Sequence, residues 1–138
     1  MGWALVGKEG DVFYHLDDPS GVDEEPVFYV KATLGENPQT SPKVGEMEVG
    51  VVVGRDAFTR WIESVGPRGS RIGTRMYEIA AAHACNRYGV PLMSGGLSKF
   101  SRAFWEKQLA KGRAKWLSIG RYSMGCPAPV DLSGWRRR

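Results

Sequence analysis

The feature that most constrains this chain is a change of hydrophobic period at Ile72. Ahead of it the apolar runs are short and β-like. From it, Ile72, Met76, Ile79, Ala80, His83 and Ala84 recur at helical spacing, with charged Arg75, Glu78 and Arg87 mostly elsewhere. The pattern stops at "YGVP", where Gly89 can cap the helix and Pro91 cannot continue it. A chain whose strands come first and whose helices come late has to lay those helices on a sheet, so the order predicts a mixed α/β (α+β) fold.

The strands can be placed from turn chemistry. Trp3 to Val6 and Val12 to His15 flank "GKEGD" as a first hairpin, and "VFYVKATLG" (Val27 to Gly35) is rich in β-branched and aromatic residues. Between them "LDDPSGVDEEP" is acidic, broken by prolines and without helical period, which predicts a loop. Val44 to Gly54 and Ala57 to Val65 read as a hairpin turning at Arg55 and Asp56. Beyond the helix, Val90 to Ser94 is expected as a short buried strand. Ser98 is expected to cap a second helix from Lys99 to about Lys111, with Phe100, Ala103, Phe104 and Gln108 on one side. "KWLSI" and "RYSM" around Gly120 predict a last hairpin, and residues 125–138 an irregular tail with a basic end.

The length of 138 residues suits one domain. No apolar run approaches the roughly 20 residues of a membrane span, and the start turns polar too soon for a signal peptide. Cys85 and Cys126 lack CxxC spacing, and with only two cysteines a reducing cytoplasm is expected, Cys85 serving as a small core residue. The net charge of +4 favours anionic partners: nucleic acid, a membrane surface or a nucleotide cofactor.

One stretch can tell these apart. In "GPRGSRIGTRMYEIAAAHA" two glycines, Gly69 and Gly73, sit where the helix starts, and Arg68 and Arg71 flank them. Helix N-termini leave amides without intrahelical partners and carry partial positive charge, so such a junction can seat a phosphate. It can equally be a plain turn with solvated arginines. It is neither a Walker loop nor GxGxxG.

A strand, then "RGSRIGT", then an amphipathic helix ended by "YGVPL" and followed by "LSKFSRAFWEKQLAKGRA", resembles the GNAT superfamily of N-acetyltransferases, whose signature at this point is Arg/Gln-x-x-Gly-x-Gly/Ala. The resemblance spans Val44 to about Met124, and the compact chain with its second helix is similar to small phage-encoded members. It implies a central mixed, mainly antiparallel sheet, a long helix after the signature, and an acetyl-CoA site. Arg68, Gly69, Ser70, Arg71, Ile72, Gly73 and Thr74 would hold the pyrophosphate. The strands Ala57 to Val65 and Val90 to Ser94 would splay around the pantetheine arm, with Ile62, Ser64 and Val65 on one side and Ser98 and Trp105 on the second helix.

The sequence departs from the family in three places. Arg71 stands where the family has glycine, Gly66-Pro67 implies a rearranged loop, and no pair of helices follows the first strands to wall the acceptor side.

The resemblance also implies direct attack by an amine on the thioester, without an acyl-enzyme. Glu63 matches the usual general-base position, although a surface carboxylate paired with Arg60 or Arg68 is the plainer reading. For the leaving thiolate, the positions where the family often has Asn, a small residue and Tyr hold Ser98, Ser101 and Trp105, and indole is no proton donor at neutral pH. Ser98 or Ser101 acting through water, unassisted departure, and Tyr122 reaching in from the last hairpin all stay open. His83 reads as a satisfied core or interface histidine, and neither histidine has a metal-ligand companion at suitable spacing, so no metal is expected. Trp61, Trp105 and Trp116 read as core and groove aromatics. Exposed, they would offer base stacking.

The expectation is therefore a cytoplasmic acetyl-CoA-dependent N-acetyltransferase, able to form a homodimer. It would act on a primary amine, a protein lysine or another cationic amine drawn by "DDPSGVDEE". The alternative is a catalytically reduced binding module that contacts nucleic acid or a protein partner.

Overall fold

Strands β1 (Ala4–Glu9) and β2 (Val12–Asp17) open the fold as a hairpin whose two-residue turn starts at Gly10, with φ +60°. The computed structural model describes residues 2–19, 25–65, 71–95, 99–118 and 121–126. Strands β3 (Val27–Thr33), β4 (Lys43–Val52) and β5 (Asp56–Ser64) follow, each antiparallel to the one before. The β4–β5 turn lies at Val53 to Arg55, not at Arg55 and Asp56. Arg55 donates its amide to the Val52 carbonyl at 3.0 Å, and Gly54 takes φ +79°.

Helix α1 (Ile72–His83) then crosses back, widening into one π-helical turn at Ala84–Tyr88 that ends on left-handed Gly89. Strand β6 (Leu92–Met93) is parallel to β5, as a crossover helix requires. Helix α2 (Lys99–Ala110) and the hairpin of β7 (Lys115–Ser118) and β8 (Arg121–Ser123) complete a mixed eight-stranded sheet, in the order β1-β2-β3-β4-β5-β6-β8-β7. The acidic connection between β2 and β3 covers positions 18–26, too short for two helices.

The core lies under α1. Phe28, Val30, Ala32, Met47, Val49 and Ala57 from the sheet and Met76 and Ala80 from the helix are fully buried. A Cβ on Gly45 would come within 2.9 Å of Met76 Cε, so this glycine lets the helix lie close on β4. Helix α2 packs beside α1, with Phe104 stacked on Tyr77 at 4.2 Å and Trp105 parallel to Tyr122 of β8 at 6.1 Å. Its inner face is Ser101, Phe104, Trp105 and Gln108. Ala103, expected on that face, is exposed, since the buried stripe runs through Ser101, Trp105 and Gln108.

Two further expectations are corrected. Arg75 and Glu78, read as lying mostly off the apolar stripe, are buried, and they work as a network. Arg75 grips both carboxylate oxygens of Glu9 at the end of β1 and donates to Glu78 Oε1 at 2.8 Å. A guanidinium can enter the core only if its hydrogen bonds are met, and these meet them. Cys85, read as a small core residue, is half-buried and joined to Cys126 by a disulfide. Closing a loop of 41 residues contributes about 4 kcal/mol on a chain-entropy basis, and it fastens the end of α1 to the segment after β8.

His15 is buried, with Nε2 2.7 Å from Thr33 Oγ1. That hydroxyl donates to the Gly35 carbonyl, so it accepts from the imidazole. Burial first, then the Lys31 charge, hold His15 below its ordinary pKa of 6.5, against a weaker pull from Glu36.

Two predictions follow from these contacts. Arg75→Leu strands the carboxylates of Glu9 and Glu78 and should cost about 3–5 kcal/mol in urea unfolding, with much of it recovered when Glu78→Leu is added. Because His15 is depressed in the folded state, the unfolded chain takes up its proton first. Stability should therefore fall as pH drops below 6.5, and His15→Gln should flatten that part of a pH series of unfolding midpoints.

Candidate functional site

The site grows from the edge where β5 and β6 part. Their ladder pairs Ala57 with Leu92 and Phe58 with Met93. Gly95 then presses against Thr59, so closely that a Cβ would overlap the Thr59 carbonyl oxygen. Beyond that point residues 61–64 pair with β4 alone, and among the described residues no strand meets their other edge. The register slips at Arg60, since Glu48 faces Trp61 while Val49 faces Thr59. Such a bulge re-aims the strand and commonly borders a site.

Helix α1 begins beside this strand. Arg71, at its N-cap, holds φ 65° and ψ 12°, a left-handed conformation that disfavours any residue with a side chain. This is the position where the resembled signature has glycine. Among the described residues no side chain makes a capping hydrogen bond there, and the first turn holds no acid. Among the described residues the amides of Ile72, Gly73 and Thr74 thus have neither an intrahelical nor a side-chain-cap partner. A Cβ on Gly73 would meet nothing within 4 Å among the described residues. The Arg71 charge is felt at the Tyr14 hydroxyl, which places this arginine toward the first hairpin and the Arg75 network. Arg68, Gly69, Ser70 and Ser98 lie outside the described residues.

The remaining candidates divide between the two faces of β5. Ile62, opposite Met47, and Ser64, opposite Gly45, are on the α1 face, and exposed Val65 donates its amide to the Val44 carbonyl at 2.9 Å. Glu63, opposite Glu46, is on the other face. It is half-exposed and paired with Lys43 at 2.9 Å, not with Arg60, which reaches Glu48 at 3.1 Å. Ser101 is buried on α2, and Trp105 lies wholly inside among Tyr77, Phe104 and Tyr122. Tyr122, also buried, donates its amide to Ser94 Oγ at 2.9 Å. The structure therefore brings Ile62, Ser64, Ile72 and Gly73 to one edge, with Ser101 and Tyr122 behind it and Glu63 on the reverse face.

Tyr77 was missed by the sequence reading. It is buried where β5, α1 and α2 meet. Burial pushes its phenol up to about 12, against the pull of the Thr59 and Ser101 hydroxyls beside it. Thr59 Oγ1 is buried there without a hydrogen bond of ordinary geometry. A wider helical stripe through Ile72, Met76, Tyr77, Ala80, Ala81 and Ala84 would have included this tyrosine.

His83 is satisfied structurally, with Nε2 2.8 Å from Asp18 Oδ2 and its ring edge-on to Phe28. Among the described residues no group of three His, Cys, Asp or Glu side chains could hold a metal ion, and no helix is long and apolar enough to cross a membrane.

No family model, curated protein or solved structure matches this chain.

The left-handed Arg71 yields a local prediction. Arg71→Gly should relieve backbone strain and raise stability by about 1 kcal/mol in urea unfolding, whereas Arg71→Val, β-branched, should lower it.

Proposed function

We propose that this protein is an acetyl-CoA-dependent N-acetyltransferase of the GNAT type, moving an acetyl group to a primary amine by direct attack. The observation that carries the reading is the juxtaposition, among the described residues, of an edge of β5 without a strand partner and a helix start without a side-chain cap. A ligand with an anionic end and an amide-bearing arm would meet both needs at once, through phosphate on helix amides and amide pairing along a strand. The sheet order, with one parallel pair and a helix crossing between its strands, is consistent with this reading.

Acetyl-CoA supplies the activated acetyl thioester. In this reading the amides of Ile72 to Thr74 hold its diphosphate together with Arg68, Gly69 and Ser70, which precede them in sequence, and the β5 edge from Ile62 to Val65 orients its arm. A backbone N–H of that edge polarises the acetyl carbonyl. Glu63 is the base for the attacking ammonium, provided the acceptor displaces Lys43 from it. Tyr122 and Ser101 are the described candidates for the proton that the departing sulfur takes, and Trp105 shapes the wall behind them.

The draw of the acidic stretch on a cationic acceptor is reduced at its start, because Asp17 is buried and Asp18 is held by His83 and Tyr88. A cytoplasmic setting belongs to this reading, while the Cys85–Cys126 bond argues for a less reducing one.

Exposed Trp61 and Trp116, at 41% and 56% of full accessibility, favour the second reading, a binding module that stacks nucleic-acid bases. Thermal unfolding separates the two. At one hundred times its Kd, acetyl-CoA should stabilise the native state by about 2.7 kcal/mol, a Tm rise of roughly 5–10 °C. Gly73→Glu, whose Cβ would meet none of the described residues, should keep the fold and lose the rise. Absence of a rise in the parent protein, together with salt-dependent quenching of tryptophan by single-stranded DNA, would support the binding module instead.

A further inference from the structure

On the face of the sheet away from α1 there is a groove of about 350 Å³ that the acetyl-transfer reading has not used. Its floor is apolar, made by Val52, Phe58 and Met93. Its walls are Arg55 and Asp56 from the β4–β5 turn, Ser94 and Gly95 from the end of β6, and Arg121 from β8. The same residues, Phe58, Met93 and Gly95, mark where β5 and β6 part, so the groove opens beside the edge proposed to carry the acetyl group.

The construction is specific. Gly50 has no side chain, and a Cβ there would lie 2.9 Å from Phe58 Cζ. The absence of that atom lets the phenyl ring lie across β4 and form the floor. Asp56 is largely buried, and Arg55 reaches it only loosely, Nε to Oδ2 at 3.5 Å. Arg121 is exposed and has no salt-bridge partner among the described residues. Two guanidiniums against one carboxylate leave the lining with one net positive charge over a hydrophobic floor. That combination suits a molecule with an apolar body, one carboxylate for the arginine forks, and an ammonium that Asp56 can attract. A dianionic phosphate would outrun the single excess charge, and an amine without an anion would leave Arg121 facing nothing.

We propose that this groove seats the acceptor, and that the acceptor is a small amine bearing a carboxylate on an apolar body, an amino-acid-like molecule rather than a protein lysine. The binding claim stands by itself, and the word acceptor rests on the acetyl-transfer reading. Acetylation then joins the amine nitrogen to the acetyl carbon and breaks the carbon–sulfur bond. The sulfur leaves as the thiol, carrying a proton in place of the one the nitrogen gives up.

The test uses phenylalanine, phenethylamine, 3-phenylpropionate and benzylphosphonate as probes. Calorimetric titration of each into the intact protein is followed by thiol release from acetyl-CoA with the two amines. Phenylalanine and 3-phenylpropionate should bind at least tenfold tighter than phenethylamine. Arg121→Ala should remove that tenfold preference while leaving the unfolding midpoint unchanged, since Arg121 is exposed. Phenylalanine should show a KM lower by a similar factor, and Arg121→Ala should raise KM with little change in kcat. Equal binding of phenylalanine and phenethylamine, tighter binding of benzylphosphonate, or an unaltered preference in Arg121→Ala would overturn the groove and leave the acetyl-transfer reading standing. The expected binding with no thiol release from either amine would overturn the acceptor role and keep only a carboxylate site, while the acetyl-transfer reading itself stands or falls with the thermal shift by acetyl-CoA.

Discussion

Backbone hydrogen bonds that a strand cannot make within its own sheet constrain this molecule more than any side chain. Strand β5 is satisfied on both edges only as far as Phe58, and Gly95 closes against Thr59 one step further on. Past that point, among the described residues, no strand pairs with the edge of β5 that faces β6. Buried or half-buried amides and carbonyls need partners, so that edge is a place where a ligand with its own peptide-like groups can complete the sheet. The bulge at Arg60 sharpens the bend and divides the strand into a packed start and an available end.

Whether that edge can be useful depends on what stands beside it, and here the buried charges matter. Arg75 binds Glu9 on β1 and Glu78 on its own helix, and Met76 packs onto Gly45 of β4. These contacts fix α1 across the sheet from its first turns. The Cys85–Cys126 bond fixes its far end. A helix held in this way presents its uncapped start to the strand with little freedom, which limits the entropy that ligand ordering would cost. The two faces of β5 then separate the tasks. The α1 face carries Ile62, Ser64 and the Tyr77–Thr59–Ser101 hydroxyls, and the reverse face carries Glu63 and the groove over Phe58.

Most elements were legible in the sequence because their signals are local. The period change at Ile72, the stop at Gly89 and the short run at Val90 to Ser94 depend on neighbours within one turn of chain; the first two appear as read, and the run forms a strand only at Leu92–Met93. What could not be read depended on partners far away in sequence. Arg75 looks solvated until Glu9, 66 positions earlier, supplies its carboxylate. Cys85 looks like a small core residue until Cys126 arrives, and two cysteines alone carry no pairing rule. Tyr77 sits next to the narrow stripe and was passed over, although α2 buries it through Phe104. The groove joins residues from the β4–β5 turn, β6 and β8, and no contiguous motif encodes such a place.

The most direct measurement of the central claim is backbone amide chemical-shift mapping during titration with coenzyme A. The account predicts saturable shifts at Ile72, Gly73 and Thr74 and along β5 from Arg60 to Ser64. Saturable shifts elsewhere with none at those amides, or no saturable shift at all, would contradict it.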